Sequence, residues 1–253
     1  MANTDARLPL YASGARMVVR DVWRFALRPT LPARRIPPGR TFVFVFAVLL
    51  AIDFALAGGT IALEAFATTA GYEPPAYIED DWPLGWELAA LILFAPLIEE
   101  AMFRGWLAGT RAWLRFALQM AVAVAILAFT TIFVDLLPEG IVLVATLFAL
   151  GLIIFAAVRV RARHNIETDV PSWYETRFRW FVWGSTLAFG AVHLWNFEGV
   201  SSPLDLLMIL SQTTGGLILA YTRLHLGLRA AMAQHAIFNG AFAAISLAIY
   251  GSL

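Results

Sequence analysis

Residues 140–158, GIVLVATLFALGLIIFAAV, contain no charged side chain, and this run decides the class of fold. A helix of this length, at about 1.5 Å per residue, is close to the roughly 30 Å thickness of the hydrocarbon core of a bilayer. Because hydrocarbon offers no water to the backbone, a helix that satisfies its own N–H and C=O groups is the structure expected there. The run predicts an all-α membrane protein.

The rest of the chain has a similar composition. Of its 253 residues, 60% are hydrophobic and only 14% are charged, whereas soluble domains have about 25% charged residues. Several stretches are long and apolar enough to cross a bilayer: 41–62, 87–110, 116–134, 140–158, 180–198, 204–222 and 230–250. We therefore predict an integral membrane protein, a polytopic bundle of about seven transmembrane helices.

The arginines indicate how this bundle is oriented. The first forty residues contain eight arginines, and further arginines occur at 111–115, 159–179 and 223–229, while the alternate loops contain acidic residues and no arginine. Cytoplasmic loops are enriched in arginine and lysine. The alternation predicts a cytoplasmic N-terminus.

Two regions are expected. Residues 1–40 form an arginine-rich cytoplasmic segment, in which 8–29 is either an interfacial helix or a disordered tail, and 41–253 form the transmembrane domain. The formal net charge of zero predicts no nucleic-acid partner. The absence of cysteine excludes disulfides and thiolate chemistry.

The second predicted span carries unexpected charge. Residues 94–107 read FAPLIEEAMFRGWL, with Glu99, Glu100 and Arg104 in an apolar context. A charge at the centre of a bilayer costs about 2.5 to 3.5 kcal/mol on insertion scales, so such residues usually serve a function. Glu100 and Arg104 are four residues apart and can pair on one helix face, whereas Glu99 points about 100° away. Glu99 is therefore a candidate general base; the alternative is a structural polar cluster between helices.

Two histidines lie in other predicted spans. Phe189 and His193 are four residues apart, so the two rings can pack together, and His235 and Asn239 share a face of the last helix. A lone intramembrane histidine is commonly a satisfied core residue. Two of them in a chain that also contains the glutamate pair indicate a functional site.

Together these residues resemble the three motifs of the CPBP family of intramembrane proteases. That family includes the type II CAAX prenyl endopeptidases and bacterial relatives, some of them linked to bacteriocin self-immunity, the Abi-like proteins. The resemblance covers roughly residues 87–250. It implies an endopeptidase in a lipid bilayer, expected to be the bacterial inner membrane, with a peptide or protein substrate that is membrane-associated or lipidated. The alternative is a non-catalytic CPBP-like scaffold or a bacteriocin-immunity protein.

The resemblance also implies roles for six residues. Glu99 and His193 would activate a water molecule, and His235 and Asn239 would hold the developing oxyanion. Amide hydrolysis needs such a base, such donors and exclusion of bulk water. A remaining pair, Glu100 and Arg104, would orient the site.

Metal dependence is left open by the sequence. Glu99, His193 and His235 offer one carboxylate and two imidazoles, a donor set found in catalytic zinc sites. Zinc proteases commonly place two histidines four residues apart on one helix, whereas these two come from separate helices. We assign no cofactor and expect a metal-free mechanism, with zinc as the alternative.

The spacing of the motifs along the chain and their depth in the bilayer both differ from a single site on neighbouring helices. The family usually places its first two motifs on neighbouring helices, but here the two uncharged spans within 116–158 are interposed between Glu99 and His193. Counting about 1.5 Å per residue also places His193 about 7 Å to one side of Glu99 and His235 about 7 Å to the other. We therefore expect the fifth span to start later, near Trp183, and the seventh to start earlier, near His225.

Overall fold

The computed structural model describes residues 14–78 and 82–250, apart from the side chain of Tyr250. In this part of the chain the structure is helical, and its one β-type pairing is an isolated antiparallel bridge between Tyr77 and Phe197. The predicted all-α class is confirmed. The start of the expected interfacial helix at residue 8 and the acidic residues 79–81 lie outside the described residues.

The helices follow the apolar runs. In chain order they are α1 (Ala15–Leu27), α2 (Arg40–Thr69), a composite run at 84–104 that we call α3, α4 (Arg111–Ile132), α5 (Glu139–Arg163), α6 (Ser172–Val192), α7 (Leu210–His225) and α8 (Leu228–Tyr250). Short 3₁₀ segments occur at Gly105–Ala108, His193–Asn196 and Pro203–Ile209.

Among the described residues, five helical stretches are long and apolar enough to cross a membrane. They are Arg40–Thr69, Arg111–Ile132, Glu139–Arg163, Pro203–His225 and Leu228–Ile249. Two expected spans, 87–110 and 180–198, do not appear in this form. The first is divided into short segments, and the second begins in a helix that carries Arg177 and Arg179 and that ends at Val192. The count of seven and the cytoplasmic N-terminus stay predictions.

Two helices begin at residues other than those at which the fifth and seventh spans were expected to begin. Helix α6 begins at Ser172, well before Trp183, and the expected start of the fifth span near Trp183 stays a prediction. It ends at Val192, and His193 opens the 3₁₀ turn that follows. Helix α8 begins at Leu228, slightly earlier than residue 230 but after His225.

The chain divides into two compact units. The second unit, Gly105–Arg177, contains α4 and α5, which pack along each other, and it holds the two uncharged spans that separate the first two motifs. Exposed ion pairs, Arg111 with Asp169 and Arg115 with Glu167, join the start of α4 to the segment after α5. Within this unit, Gly109 adopts φ 72° against the ring of Tyr174, where a β-carbon would clash.

The first unit, Met1–Arg104 with Phe178–Leu253, is organised around α2 and α7. Near one end of the pair, the N–H of Ile36 donates to the carbonyl of His225 at 2.8 Å. Near the other end, the hydroxyl of Tyr72 donates to Asp205 at 3.1 Å. Helix α2 therefore runs antiparallel to α7.

Helix α3 changes its hydrogen-bonding pattern three times. An α-helical turn, Leu84–Ala89, is followed by a π-helical segment, Ala90–Phe94, another α-helical turn, Ala95–Glu99, and a second π-helical segment, Glu100–Arg104. Pro96 gives a physical reason for the first change, because proline has no N–H to donate to a preceding carbonyl. Extra residues in a helical turn rotate the side chains that follow, including both glutamates.

Candidate active site

The candidate site contains a buried ion pair. Arg104 Nη1 donates to Glu100 Oε1 at 2.9 Å, and both side chains are fully buried. The four-residue spacing predicts this pair, and the structure contains it. The same oxygen accepts a hydrogen bond from His235 Nδ1 at 3.1 Å. Glu100 therefore holds a histidine of the third motif as well as its own helical neighbour.

His235 lies between the two glutamates. Its Nδ1 is bonded to Glu100, and its Nε2 is 3.8 Å from Oε2 of Glu99. Because a carboxylate accepts hydrogen bonds, this contact assigns the Nδ1 hydrogen to His235 and leaves Nε2 facing Glu99. Glu99 retains 26% of its side-chain exposure, in contrast to the fully buried Glu100. The adjacent glutamates thus occupy different environments.

The ring of Phe189 connects the three motifs. The Arg104 guanidinium lies over this ring, with Cζ 3.6 Å from the centroid. The rings of His193 and His235 meet it edge-on, with centroids 4.8 Å and 5.9 Å away. A β-carbon at Gly216 of α7 would lie 2.8 Å from Arg104 Nη2. Glycine at this position therefore allows α7 to approach the Arg104 and Phe189 side chains closely. Dispersion and cation–π attraction offset part of the cost of burying the arginine.

His193 is held by a hydrogen bond to the backbone of Phe189. Its Nδ1 is 2.7 Å from the carbonyl oxygen of Phe189, so Nδ1 donates and Nε2 carries the lone pair. Within the described residues no hydrogen bond or ion pair joins His193 to Glu99. Both side chains instead line one cavity of about 290 Å³, together with His235 and Asn239.

Asn239 donates a hydrogen bond to a backbone carbonyl to which Pro96 cannot donate. The N–H of Ala95 bonds to the carbonyl of Ala90, and Pro96 cannot donate to the carbonyl of Leu91. Asn239 Nδ2 donates to that carbonyl at 2.9 Å. One amide hydrogen of Asn239 therefore secures α8 to α3, and the other is available to the cavity.

Sequence reasoning missed a further carboxylate, Asp53 on α2. It is 3% exposed and lines the same cavity. Gln234 Nε2 donates to it at 2.9 Å, and Thr222 donates to Gln234 Oε1 at 2.7 Å. The cost of an intramembrane charge, which singled out Glu99, applies equally to Asp53 in the first predicted span and could have identified it.

We expect Asp53→Leu to lower the free energy of unfolding by about 1–3 kcal/mol, because it leaves the buried amide of Gln234 without its acceptor. Asp53→Asn keeps an acceptor oxygen and should cost less than half as much. Thermal unfolding of both variants in detergent measures the difference. Equal losses would show that the charge of Asp53, rather than its hydrogen bond, stabilises the fold.

The side chains that could hold a metal are Glu99, His193 and His235. Their Nδ1 hydrogen bonds, from His235 to Glu100 and from His193 to a backbone carbonyl, leave each Nε2 free, as in metal-bound imidazoles. Among the described residues, however, no three histidine, aspartate or glutamate side chains are grouped so as to hold an ion. The arrangement of these three side chains therefore does not fit zinc, and the Arg104 guanidinium adds positive charge beside them.

The structure brings the six predicted residues, Glu99, Glu100, Arg104, His193, His235 and Asn239, into the first unit. Four line the cavity and two, Glu100 and Arg104, lie buried behind it.

Comparisons with known proteins are consistent with the motifs. Residues 169–241 match the family model described as Rce1-like, type II CAAX prenyl endopeptidase. That segment contains the second and third motifs, whereas Glu99, Glu100 and Arg104 precede it. No curated protein and no solved structure matches the chain. The predicted family resemblance is therefore confirmed over residues 169–241, which are similar to the Rce1-like type II CAAX prenyl endopeptidases, a family of proteases.

Proposed function

We propose that this protein is an intramembrane endopeptidase that hydrolyses a peptide bond of a membrane-associated or lipidated substrate. One observation carries the proposal: Glu99, His193, His235 and Asn239, from three separate motifs, line a single cavity. The family match over residues 169–241 supports protease chemistry independently. The cytoplasmic N-terminus and a bacterial inner-membrane location belong to the same proposal.

Glu99 is the base in this scheme. Its carboxylate is partly exposed in the cavity, so a water molecule can reach it, and its nearest cationic candidate is His235 at 3.8 Å. Glu100 cannot serve in the same way, because it is fully buried and accepts hydrogen bonds from Arg104 and His235. A base must lie within hydrogen-bond reach of the proton that it removes.

His193 orients the attacking water. Since its Nδ1 donates to the Phe189 carbonyl, its Nε2 is an acceptor. A water molecule that donates to Glu99 and to His193 Nε2 would present an oxygen lone pair to the scissile carbonyl. The edge-on packing of Phe189 fixes the plane of the imidazole.

The oxyanion donors are Asn239 and His235. Asn239 uses one amide hydrogen on Leu91 and has a second for the substrate. His235 donates through Nε2 when it is an imidazolium, since Nδ1 is bonded to Glu100.

The proton transfers balance without any further reactant. Glu99 removes a proton from water, and the resulting hydroxide adds to the carbonyl carbon. When the C–N bond breaks, Glu99 returns the proton to the leaving amine. Asp53 lines the cavity, and its hydrogen bond with Gln234 positions α8, on which His235 lies.

The test is cleavage by the purified protein in liposomes. It should cut members of a library of membrane-anchored peptides, with and without a prenyl group, and products should be identified by mass spectrometry. Activity should survive dialysis against a strong chelator, because the described side chains are not grouped so as to hold an ion. Activity lost on chelation and restored by zinc alone would overturn the metal-free mechanism. No cleavage by folded protein across the library would favour the scaffold or immunity alternative.

A further inference from the structure

A second cavity of about 260 Å³ lies in the first unit, away from the residues of the proposed active site. Helix α1 forms one wall and the end of α7 another, with the α1–α2 linker at Thr30 and Pro32. This volume is large enough to hold several water molecules. It can therefore admit a group of headgroup size.

Three arginines line this cavity. Arg20 and Arg24 lie four residues apart on α1, and Arg28 is the residue directly after it; because all three line the cavity, we call them the arginine stripe. Among the described residues that line the cavity, the one carboxylate is that of Asp21, which accepts a hydrogen bond from Tyr221 at 2.7 Å. The lining therefore carries a net positive charge, as expected of a site for a phosphate-type anion.

Helix α1 is held firmly against α7. Val18, Val22 and Phe25 are buried, and the Phe25 ring packs edge-on against Tyr221. Tyr221 in turn stacks on His225 with centroids 3.8 Å apart. These contacts fix the arginine stripe at the end of α7 and preorganise the cavity.

The stripe next to the arginines is apolar and exposed. Val19, Trp23 and Leu27 also repeat every four residues, and Trp23 and Leu27 are about two-thirds exposed. Helix α1 therefore presents a cationic stripe beside an apolar one, an arrangement typical of helices at the membrane interface.

The cavity lies where candidate spans leave the hydrocarbon. His225, the last residue of α7, lines it, and the backbone bond from Ile36 brings the linker that leads into α2 to the same place. This is the depth at which phospholipid phosphates are found. We propose that the cavity binds the phosphate-bearing headgroup of an anionic phospholipid, with its acyl chains over Val19, Trp23 and Leu27. The inference goes beyond the protease function and does not depend on it.

The experiment measures which lipids stay with the protein. Full-length protein is reconstituted in vesicles of phosphatidylcholine with one quarter phosphatidylglycerol, extracted, and its retained lipids are counted by native mass spectrometry. Wild type should be enriched in phosphatidylglycerol. Replacing Arg20, Arg24 and Arg28 together by Gln should reduce that enrichment by roughly a hundredfold, since each interfacial arginine contributes about a factor of five.

A matched variant removes the same charge elsewhere. Arg161, Arg163 and Arg177 are exposed, lie outside α1 and do not line the cavity, so their joint replacement by Gln should change the enrichment by less than about twofold. Equal losses in the two triple variants would overturn the site. Equal retention of both lipids by wild type would also overturn it. Full displacement of phosphatidylglycerol by millimolar inorganic phosphate would overturn it as well, because it would indicate a site for a free anion.

Two further measurements do not require the Gln variant to fold. Replacing the same three arginines by Lys keeps the charge, and folded protein of this kind should retain phosphatidylglycerol within about tenfold. For wild type, added salt should release phosphatidylglycerol and not phosphatidylcholine. Retention that is indifferent to salt, or lost in the folded Lys variant, would contradict recognition by charge.

Discussion

Glu99→Gln is expected to lower the rate of peptide hydrolysis by about 10² to 10⁴-fold, the usual contribution of a general base. Glutamine keeps the shape of the side chain and cannot take a proton from water. Because Glu99 is partly exposed in the cavity and accepts no bond from Arg104, the loss of its charge should leave the fold intact. Cleavage rate and thermal unfolding should be measured on the same preparation.

Glu87→Gln is the matched control for this variant. Glu87 lies on the first turn of α3 and does not line the cavity, so its replacement should leave the cleavage rate within about twofold of wild type. A folded Glu99→Gln protein with wild-type activity would remove Glu99 from the mechanism.

Glu100→Gln and Arg104→Leu are expected to destabilise the protein by about 3–5 kcal/mol each, because each leaves a buried charge without its partner. Both side chains are fully buried, and one oxygen of Glu100 accepts bonds from Arg104 and His235. Activity should fall as well, since His235 loses the contact that orients it in Glu100→Gln. Unfolding in detergent, by heat and by denaturant, measures the loss.

Arg115→Leu provides the comparison for the arginine. Arg115 pairs with Glu167 at 2.8 Å but is half exposed, so its loss should cost at most about 1 kcal/mol. A similar cost for Arg104→Leu would contradict the buried-pair assignment. If Glu99→Gln unfolds the protein while Glu100→Gln is harmless, the roles of the two glutamates are reversed.

Uniformly apolar helices were predictable from the sequence, because hydropathy alone decides them. The run 140–158 lies within Glu139–Arg163, and 116–134 largely coincides with Arg111–Ile132. The run 87–110 was expected to be one helix, but hydropathy does not register a change in hydrogen-bonding pattern. Pro96 was visible in the sequence, yet the π-helical segments around it depend on partners from another helix.

Contacts within one helix were also predictable, whereas contacts between helices were not. The four-residue spacing predicted the Glu100–Arg104 pair and the packing of Phe189 on His193. It contained no information on the bond between His235 and Glu100, because that bond depends on which faces of two helices meet. Depth counting treated His193 as part of a straight span, whereas it lies in a 3₁₀ turn at a helix end.

Pro96 has no reactive group, but it determines how the last helix is aligned with the helix that carries the glutamates. Its missing N–H leaves the Leu91 carbonyl to be satisfied by Asn239, one turn along α8 from His235. Sliding α8 by one turn, about 5.4 Å, would leave this carbonyl without a donor in an apolar layer, at a cost of several kcal/mol. Pro96 thus fixes the register of α8 against α3. The backbone carbonyl that it leaves without an N–H donor keeps His235 at the level of the two carboxylates.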